Sequence, residues 1–145
     1  MENKNLIAKA EVRIEAGVQE VWRALTDPAT IQQYMFGTTV ETDWQEGSAI
    51  VWRGEWKGKP YEDKGKITAL HPGKQLQYTH FSGASGMEDS PENYHTVTIR
   101  LAADGEQTRV TLEQDGNGTE QGREESAKNW QMMLDSMKRV LEKGG

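Results

Sequence analysis

The sequence predicts an α+β fold in which one long C-terminal helix packs against a series of antiparallel strands. The first observation is the amphipathic stretch 117–143, whose apolar residues recur at spacings of three and four, as expected for a helix buried on one side. The second is the preceding series of short alternating segments, since alternation is typical of strands with one buried face. The apolar stripe of the helix consists of Ala127, Trp130, Met133, Leu134, Met137, Val140 and Leu141.

The other face of this helix is polar and is predicted to face solvent. The apolar stripe itself is either plain core or also the wall of a ligand pocket, because some folds of this plan open a cavity between helix and sheet. The predicted solvent face carries Lys128, Gln131, Asp135, Lys138, Arg139 and Glu142.

The first elements are a strand and two short helices. Apolar and charged residues alternate over 8–14, which predicts a strand. Helical spacing follows over 18–25. Pro28 ends that helix, because the residue before a proline disfavours the helical conformation. Pro28 then suits the first turn of a second short helix over 29–34.

Six further strands are expected between the short helices and the C-terminal helix. Most links between them are short and rich in Gly, Pro and polar residues, which predicts hairpins and hence an antiparallel meander. The exception is the longer polar link 82–93, which we expect to be the most mobile internal segment. The predicted strands are 39–43, 48–56, 61–70, 75–81, 94–102 and 108–114.

Length and composition indicate a single domain over 1–145 and exclude several kinds of site. The chain has no cysteine, which excludes disulfides, thiolate metal sites and a cysteine nucleophile. Its formal net charge of −6 argues against a nucleic-acid surface, which needs clustered Lys and Arg. Neither a signal peptide nor a membrane-spanning run is evident, so we expect a cytoplasmic protein without membrane insertion.

Strand alternation brings three polar side chains onto the apolar inner face of the sheet. Leu76 and Tyr78 are predicted to face inward, and His80 shares their face because alternate residues of a strand point to the same side. The same argument applies to His95 and Gln114 on the last two strands. Each is either a satisfied core or rim residue or a group that orients a ligand. For strand 48–56 the interpretation is that its tryptophans point inward.

The residues that would line a pocket are the inward aromatic, methionine and polar side chains. Methionine is adaptable enough to contact a flat or lipid-like molecule, although any such stripe is also ordinary core. The candidates are Trp52, Tyr78, His80, His95, Ile99, Gln114, Trp130, Met133 and Met137.

No catalytic, metal or cofactor motif is found. The histidines have no partner at metal-ligand spacing, and the carboxylates show no arrangement suited to general acid–base hydrolysis. The serines of link 82–93 have no evident activating base. We therefore expect no catalytic residues, no metal and no cofactor.

Several stretches resemble the START-like (SRPBCC) superfamily and, within it, domains similar to the C-terminal part of the activator of heat-shock-protein ATPase. The resemblance implies the helix-grip fold, a curved antiparallel sheet wrapped around a long C-terminal helix. The stretches are VWRALTDP (21–28), YMFG (34–37), GKITALHP (65–72) with LQYT (76–79), VTIRL (97–101), TRVTL (108–112) and the closing helix 130–141.

The predicted function is non-covalent binding of a small hydrophobic ligand between the sheet and the C-terminal helix. Two alternatives remain open. One is an aromatase- or cyclase-like enzyme that acts on a polyketide-type substrate. The other is a co-chaperone-like module that interacts with a chaperone, which the family resemblance implies only weakly because a shared fold does not fix a function.

Overall fold

The structure is a computed structural model that describes residues 6–56, 58–82, 88, 90 and 93–143. The link 82–93, predicted to be mobile, lies mostly outside the described residues. The elements in chain order are β1 Leu6–Ile14, α1 Val18–Thr26, α2 Pro28–Tyr34, β2 Thr39–Thr42, β3 Ala49–Trp56, β4 Lys59–His71, β5 Gln75–Ser82, β6 His95–Asp104, β7 Gln107–Asn117 and α3 Glu120–Lys143.

The seven strands form one sheet in the order β1-β7-β6-β5-β4-β3-β2, and every neighbouring pair is antiparallel. Strands β2 to β7 are a meander of consecutive hairpins, and β1 lies beside β7 at the far end. This confirms the predicted α+β fold with its long C-terminal helix and two short helices after the first strand.

The core lies between the inner face of the sheet and the helices. Ile14, Ile67 and Leu112 from the sheet and Leu134 and Met137 from α3 are all fully buried. Burial of each such side chain stabilises the folded state by roughly 1.5–3 kcal/mol, so the apolar stripe of α3 is a main source of stability.

The long helix begins later than predicted. Asn117 is the last residue of β7, and its amide donates to the carbonyl oxygen of Leu6 at 2.9 Å, which ties β7 to β1. The hydroxyl of Thr119 then accepts the N–H of Gly122 at 2.9 Å and caps the helix that starts at Glu120. The prediction of a helix from 117 was wrong because no apolar stripe precedes Ala127 to mark the first turns.

The predicted solvent face of α3 is wrong for three of its residues, Gln131, Lys138 and Glu142. They face the free edge of β1 and hydrogen-bond to the main chain of this strand or of Glu15, the residue that follows it. The ammonium of Lys138 donates to the carbonyl oxygen of Arg13 at 2.9 Å, and the carboxylate of Glu142 accepts the N–H of Glu15 at 2.9 Å. The helix packs alongside this edge strand, so the sector next to the apolar stripe hydrogen-bonds to backbone and is only partly exposed.

No helix in the part of the chain that the structure describes has the length and apolar character needed to cross a membrane.

Candidate functional site

An open groove of about 480 Å³ lies between α3 and the end of the sheet that carries β3 and β4. Three elements form it: α3, the segment after α2 and the β3–β4 hairpin. Methionine and aromatic side chains make up most of its wall. The lining residues are Met35, Phe36, Thr38, Glu55, Tyr61, Asn129, Trp130 and Met133.

Phe36 forms one rim of this groove in an unusual conformation. It follows the C-cap residue of α2, Met35, with φ of 55°, and its side chain is 65% exposed. A bulky residue in the left-handed backbone conformation destabilises the fold by roughly 1–2 kcal/mol. Because the ring of Phe36 is exposed, hydrophobic burial does not offset this strain. Strain of this kind is a feature of binding and switch sites.

Tyr61 forms the opposite wall and is held by a close cross-strand approach. It pairs with Gly54, where a Cβ atom would lie 2.7 Å from the tyrosine oxygen. The same oxygen lies 2.6 Å from Oγ1 of Thr38, which itself donates to the carbonyl oxygen of Met35 at 2.7 Å. Because the threonine hydroxyl has a single hydrogen, Tyr61 donates to Thr38. This chain of hydrogen bonds joins β4 to the end of α2.

Trp130 of α3 is fixed by a partly buried polar contact. Its ring N–H donates to Oε1 of Gln114 at 2.8 Å, and Gln114 is only 6% exposed. The amide nitrogen of Gln114 donates in turn to the carbonyl oxygen of Asp115 at 2.8 Å. Gln114 is therefore satisfied within the protein and orients the indole ring at the groove.

A second space, of about 30 Å³, lies in the interior and shares Met35 and Met133 with the groove. Trp52, Tyr78 and Ile99 also line it. This volume is about that of one water molecule, too small for an organic ligand. Trp52 is 5% exposed, and its ring centroid lies 5.0 Å from that of Tyr78, which confirms the inward orientation expected for Trp52. Burial raises the pKa of Tyr78 above its ordinary value.

The two inner-face histidines are directly opposite each other on β5 and β6. Nε2 of His80 lies 3.0 Å from a carboxylate oxygen of Asp63, and the ring meets Trp52 edge-on at 5.2 Å. Nδ1 of His95 lies 3.1 Å from the carbonyl oxygen of Asp115. Within the described ranges, no group of three or more His, Asp or Glu side chains is placed to hold a metal ion.

The nine candidate pocket residues are thus divided between different places. Trp130 and Met133 line the groove, and Trp52, Tyr78 and Ile99 line the small interior space with Met133. The other four line neither of these two spaces: His80, His95, Gln114 and Met137. As ligand contacts, all nine remain predictions.

Sequence reasoning missed most of the groove wall. Phe36 had a signal, an aromatic residue directly before a glycine at a helix end, which often marks a special backbone conformation. Tyr61 also had a signal, because an aromatic residue opposite a glycine often covers the neighbouring strand. Using that signal requires knowing that Gly54 pairs with Tyr61, which the sequence does not show. Asn129 has no sequence signal beyond its position next to Trp130.

A family model described as Activator of Hsp90 ATPase homolog 1-like protein matches residues 15–142. The chain belongs to this family. Membership agrees with the resemblance that the sequence motifs indicate and with the START-like fold of the sheet and α3. No match is found among curated proteins.

Several solved structures are similar to this chain. The solution structure of the protein ChR145 from Cytophaga hutchinsonii has 51% identity, covers 99% of this chain and 98% of its own, and has a TM-score of 0.86. The Aha1 dimer from Colwellia psychrerythraea has 21% identity, coverages of 94% and 96%, and a TM-score of 0.72. DynU16, a protein of the dynemicin biosynthetic locus, has 19% identity, coverages of 99% and 49%, and a TM-score of 0.79. The last two share the fold.

Proposed function

We propose that this member of the Activator of Hsp90 ATPase homolog 1-like family binds a small hydrophobic molecule in the groove between the sheet and the C-terminal helix. The observation that carries the proposal is the groove itself. Its volume of about 480 Å³ is that of a typical small-molecule site, whereas the interior space of about 30 Å³ would hold no more than a water. The ligand therefore enters an open groove and not an enclosed cavity.

The chemistry of the wall favours an apolar ligand. Five of the eight lining residues are methionine or aromatic: Met35, Phe36, Tyr61, Trp130 and Met133. Flat aromatic faces supply contact area at low entropic cost, and the thioethers adapt to the shape of the contents. The wall is also preorganised, because hydrogen bonds fix Tyr61 and Trp130 before any ligand arrives.

The test is a titration of the neutral fluorophore N-phenylnaphthylamine into the folded protein. We expect saturable binding at one site, with fluorescence enhancement and quenching of tryptophan emission. Asn129→Trp should abolish most of this binding, because Asn129 is exposed and lines the groove, so a larger side chain fills the space without entering the core.

Met132→Trp is the matched control. Met132 lies on the same helix and is 52% exposed, but it is not a lining residue of the groove. It should leave the affinity unchanged, and both variants should keep the unfolding midpoint of the parent. Absence of saturable binding to the parent protein would contradict the proposal and favour the protein-interaction module instead. Equal effects of the two variants on the affinity would show that the fluorophore binds outside this groove.

A further inference from the structure

We infer that the ligand of the groove is an amphipathic cation, an apolar body that carries an ammonium group, with the charge held beside Glu55 and Phe36. This inference rests on the proposed function and adds the class of ligand. The observations behind it are the shape of the surface next to the groove and the distribution of charge there.

A second depression, of about 550 Å³, adjoins the groove. Phe36 and Glu55 line both spaces, so they mark the junction between them. The groove side of this junction is the methionine and aromatic wall, and the other side is more polar, with Thr39 and Arg53. A molecule that spans the junction would place its apolar body against Trp130 and its polar head beside Glu55.

The charge at the junction is negative. Glu55 is the one charged residue in the wall of the groove, and within the described part of the chain its carboxylate has no ion-pair partner. Arg53 is already bound by two carboxylates, those of Glu62, at 2.9 Å, and of Glu41, which raise the pKa of the guanidinium. These three carboxylates and one guanidinium sum to two negative charges, and Lys59, next to the residue that pairs with Glu55, reduces the local excess to one.

This arrangement discriminates between head groups. An ammonium group gains attraction from the carboxylate of Glu55 and from the exposed ring of Phe36, since a cation is attracted to the face of an aromatic ring. An anionic head group would be repelled by the negative excess. The guanidinium of Arg53 offers it little attraction, because it already forms ion pairs with Glu41 and Glu62. A neutral head gains neither interaction.

The experiment compares three molecules with the same decyl chain, each below its micelle concentration. Decyltrimethylammonium, decyl glucoside and decyl sulfate compete with N-phenylnaphthylamine for the parent protein. We expect decyltrimethylammonium to bind about tenfold more tightly than the glucoside at low salt, and decyl sulfate to bind more weakly than both. The preference should shrink as ionic strength rises.

Two variants locate the effect. Glu55→Gln should lower the affinity for decyltrimethylammonium to near that for the glucoside, with each competition referred to the affinity of the same variant for N-phenylnaphthylamine. Glu106→Gln is the control, because Glu106 is an exposed carboxylate in the β6–β7 hairpin. It should preserve the preference.

The outcomes separate this inference from the function on which it rests. Equal competition by the three decyl compounds, or a preference that survives Glu55→Gln, would overturn the inference and leave the groove as a hydrophobic site. Tightest binding by decyl sulfate would overturn it in favour of recognition by Arg53. If N-phenylnaphthylamine itself fails to bind, the proposed function falls and this inference falls with it.

Discussion

The side-chain amide of Gln131 pairs with the main chain of Glu11 much as a neighbouring strand would. Its nitrogen donates to the carbonyl oxygen of Glu11 at 2.9 Å, and its oxygen accepts the N–H of the same residue at 3.2 Å. Glu11 belongs to β1, which pairs on its other side with β7. An open strand edge is a template for pairing with other chains, so α3 protects the sheet with side chains at this edge.

Replacement of Gln131 by alanine should therefore destabilise the protein, in contrast to what a solvent-facing position implies. Loss of two hydrogen bonds to the edge strand should lower the free energy of unfolding by about 1–2 kcal/mol. Urea denaturation would measure it. Lys128→Ala, at an exposed position on the same helix, should change it by less than about 0.5 kcal/mol. Equal small effects would mean that the edge contacts contribute nothing.

Trp130 should matter through its ring nitrogen as well as its bulk. Trp130→Phe leaves the acceptor of the buried Gln114 without its donor and should cost about 1–2 kcal/mol, whereas Trp130→Ala should cost about 3 kcal/mol. Trp22 is a partly buried tryptophan of α1 whose ring nitrogen has no such bond within the described residues. Trp22→Phe should therefore be milder than Trp130→Phe, and the reverse order would refute a role for the Gln114 contact.

Gly65 should be intolerant of any side chain. A Cβ atom there would lie 1.7 Å from the carbonyl oxygen of Thr79, a backbone atom of the next strand that has nowhere to move. Gly65→Ala should separate β4 from β5 locally and cost at least about 3 kcal/mol, or prevent folding. Gly118→Ala, where nothing lies within 4 Å, should have little effect on thermal unfolding. A Gly65→Ala protein of normal stability would show that the two strands lie further apart.

Stability should fall in alkaline solution because of two buried tyrosines. Burial raises the pKa of Tyr34 and of Tyr78 above their ordinary value of 10.0. Both stay neutral in the folded state while the unfolded chain ionises, so their contribution is complete below about pH 10 and is lost as the pH rises above it.

The check is the free energy of unfolding between about pH 9 and pH 11 for the parent and for Tyr34→Phe. The variant loses the hydrogen bond from Tyr34 to the carbonyl oxygen of Ala24, at 3.0 Å, and is less stable at neutral pH. Its stability should nevertheless fall less steeply with pH, because one ionising group has been removed. Parallel pH profiles for the two proteins would contradict the assignment of Tyr34.

Local patterns were enough to predict the framework of this fold. Short turn-like links predict the order of the hairpins. Strand alternation fixes which side chains face the core, since a one-residue slip in register would expose apolar side chains such as Val110 and Leu112. The apolar period of α3 identifies Leu134 and Met137 as core. These features depend only on neighbours in the chain, which the sequence lays out directly.

The contacts at the helix flank and at the groove depend on elements that are distant in sequence. Hydrophobic periodicity gives the centre of the buried sector of α3 but not which element lies beside it, so it predicts a solvent position for Gln131. The groove brings Phe36, Tyr61 and Asn129 together from three elements. Their meeting requires the β3–β4 register and the position of α2 relative to α3, neither of which has a local signature.

Met133 forms, together with Met35, the common boundary of the groove and the interior space, because it lines both of them. A guest that displaces this thioether would alter the surroundings of Trp52 and Tyr78 without touching them. The chemical shift of the Met133 methyl group should therefore change when the groove is occupied. This measurement needs no label on the bound molecule and no knowledge of its identity.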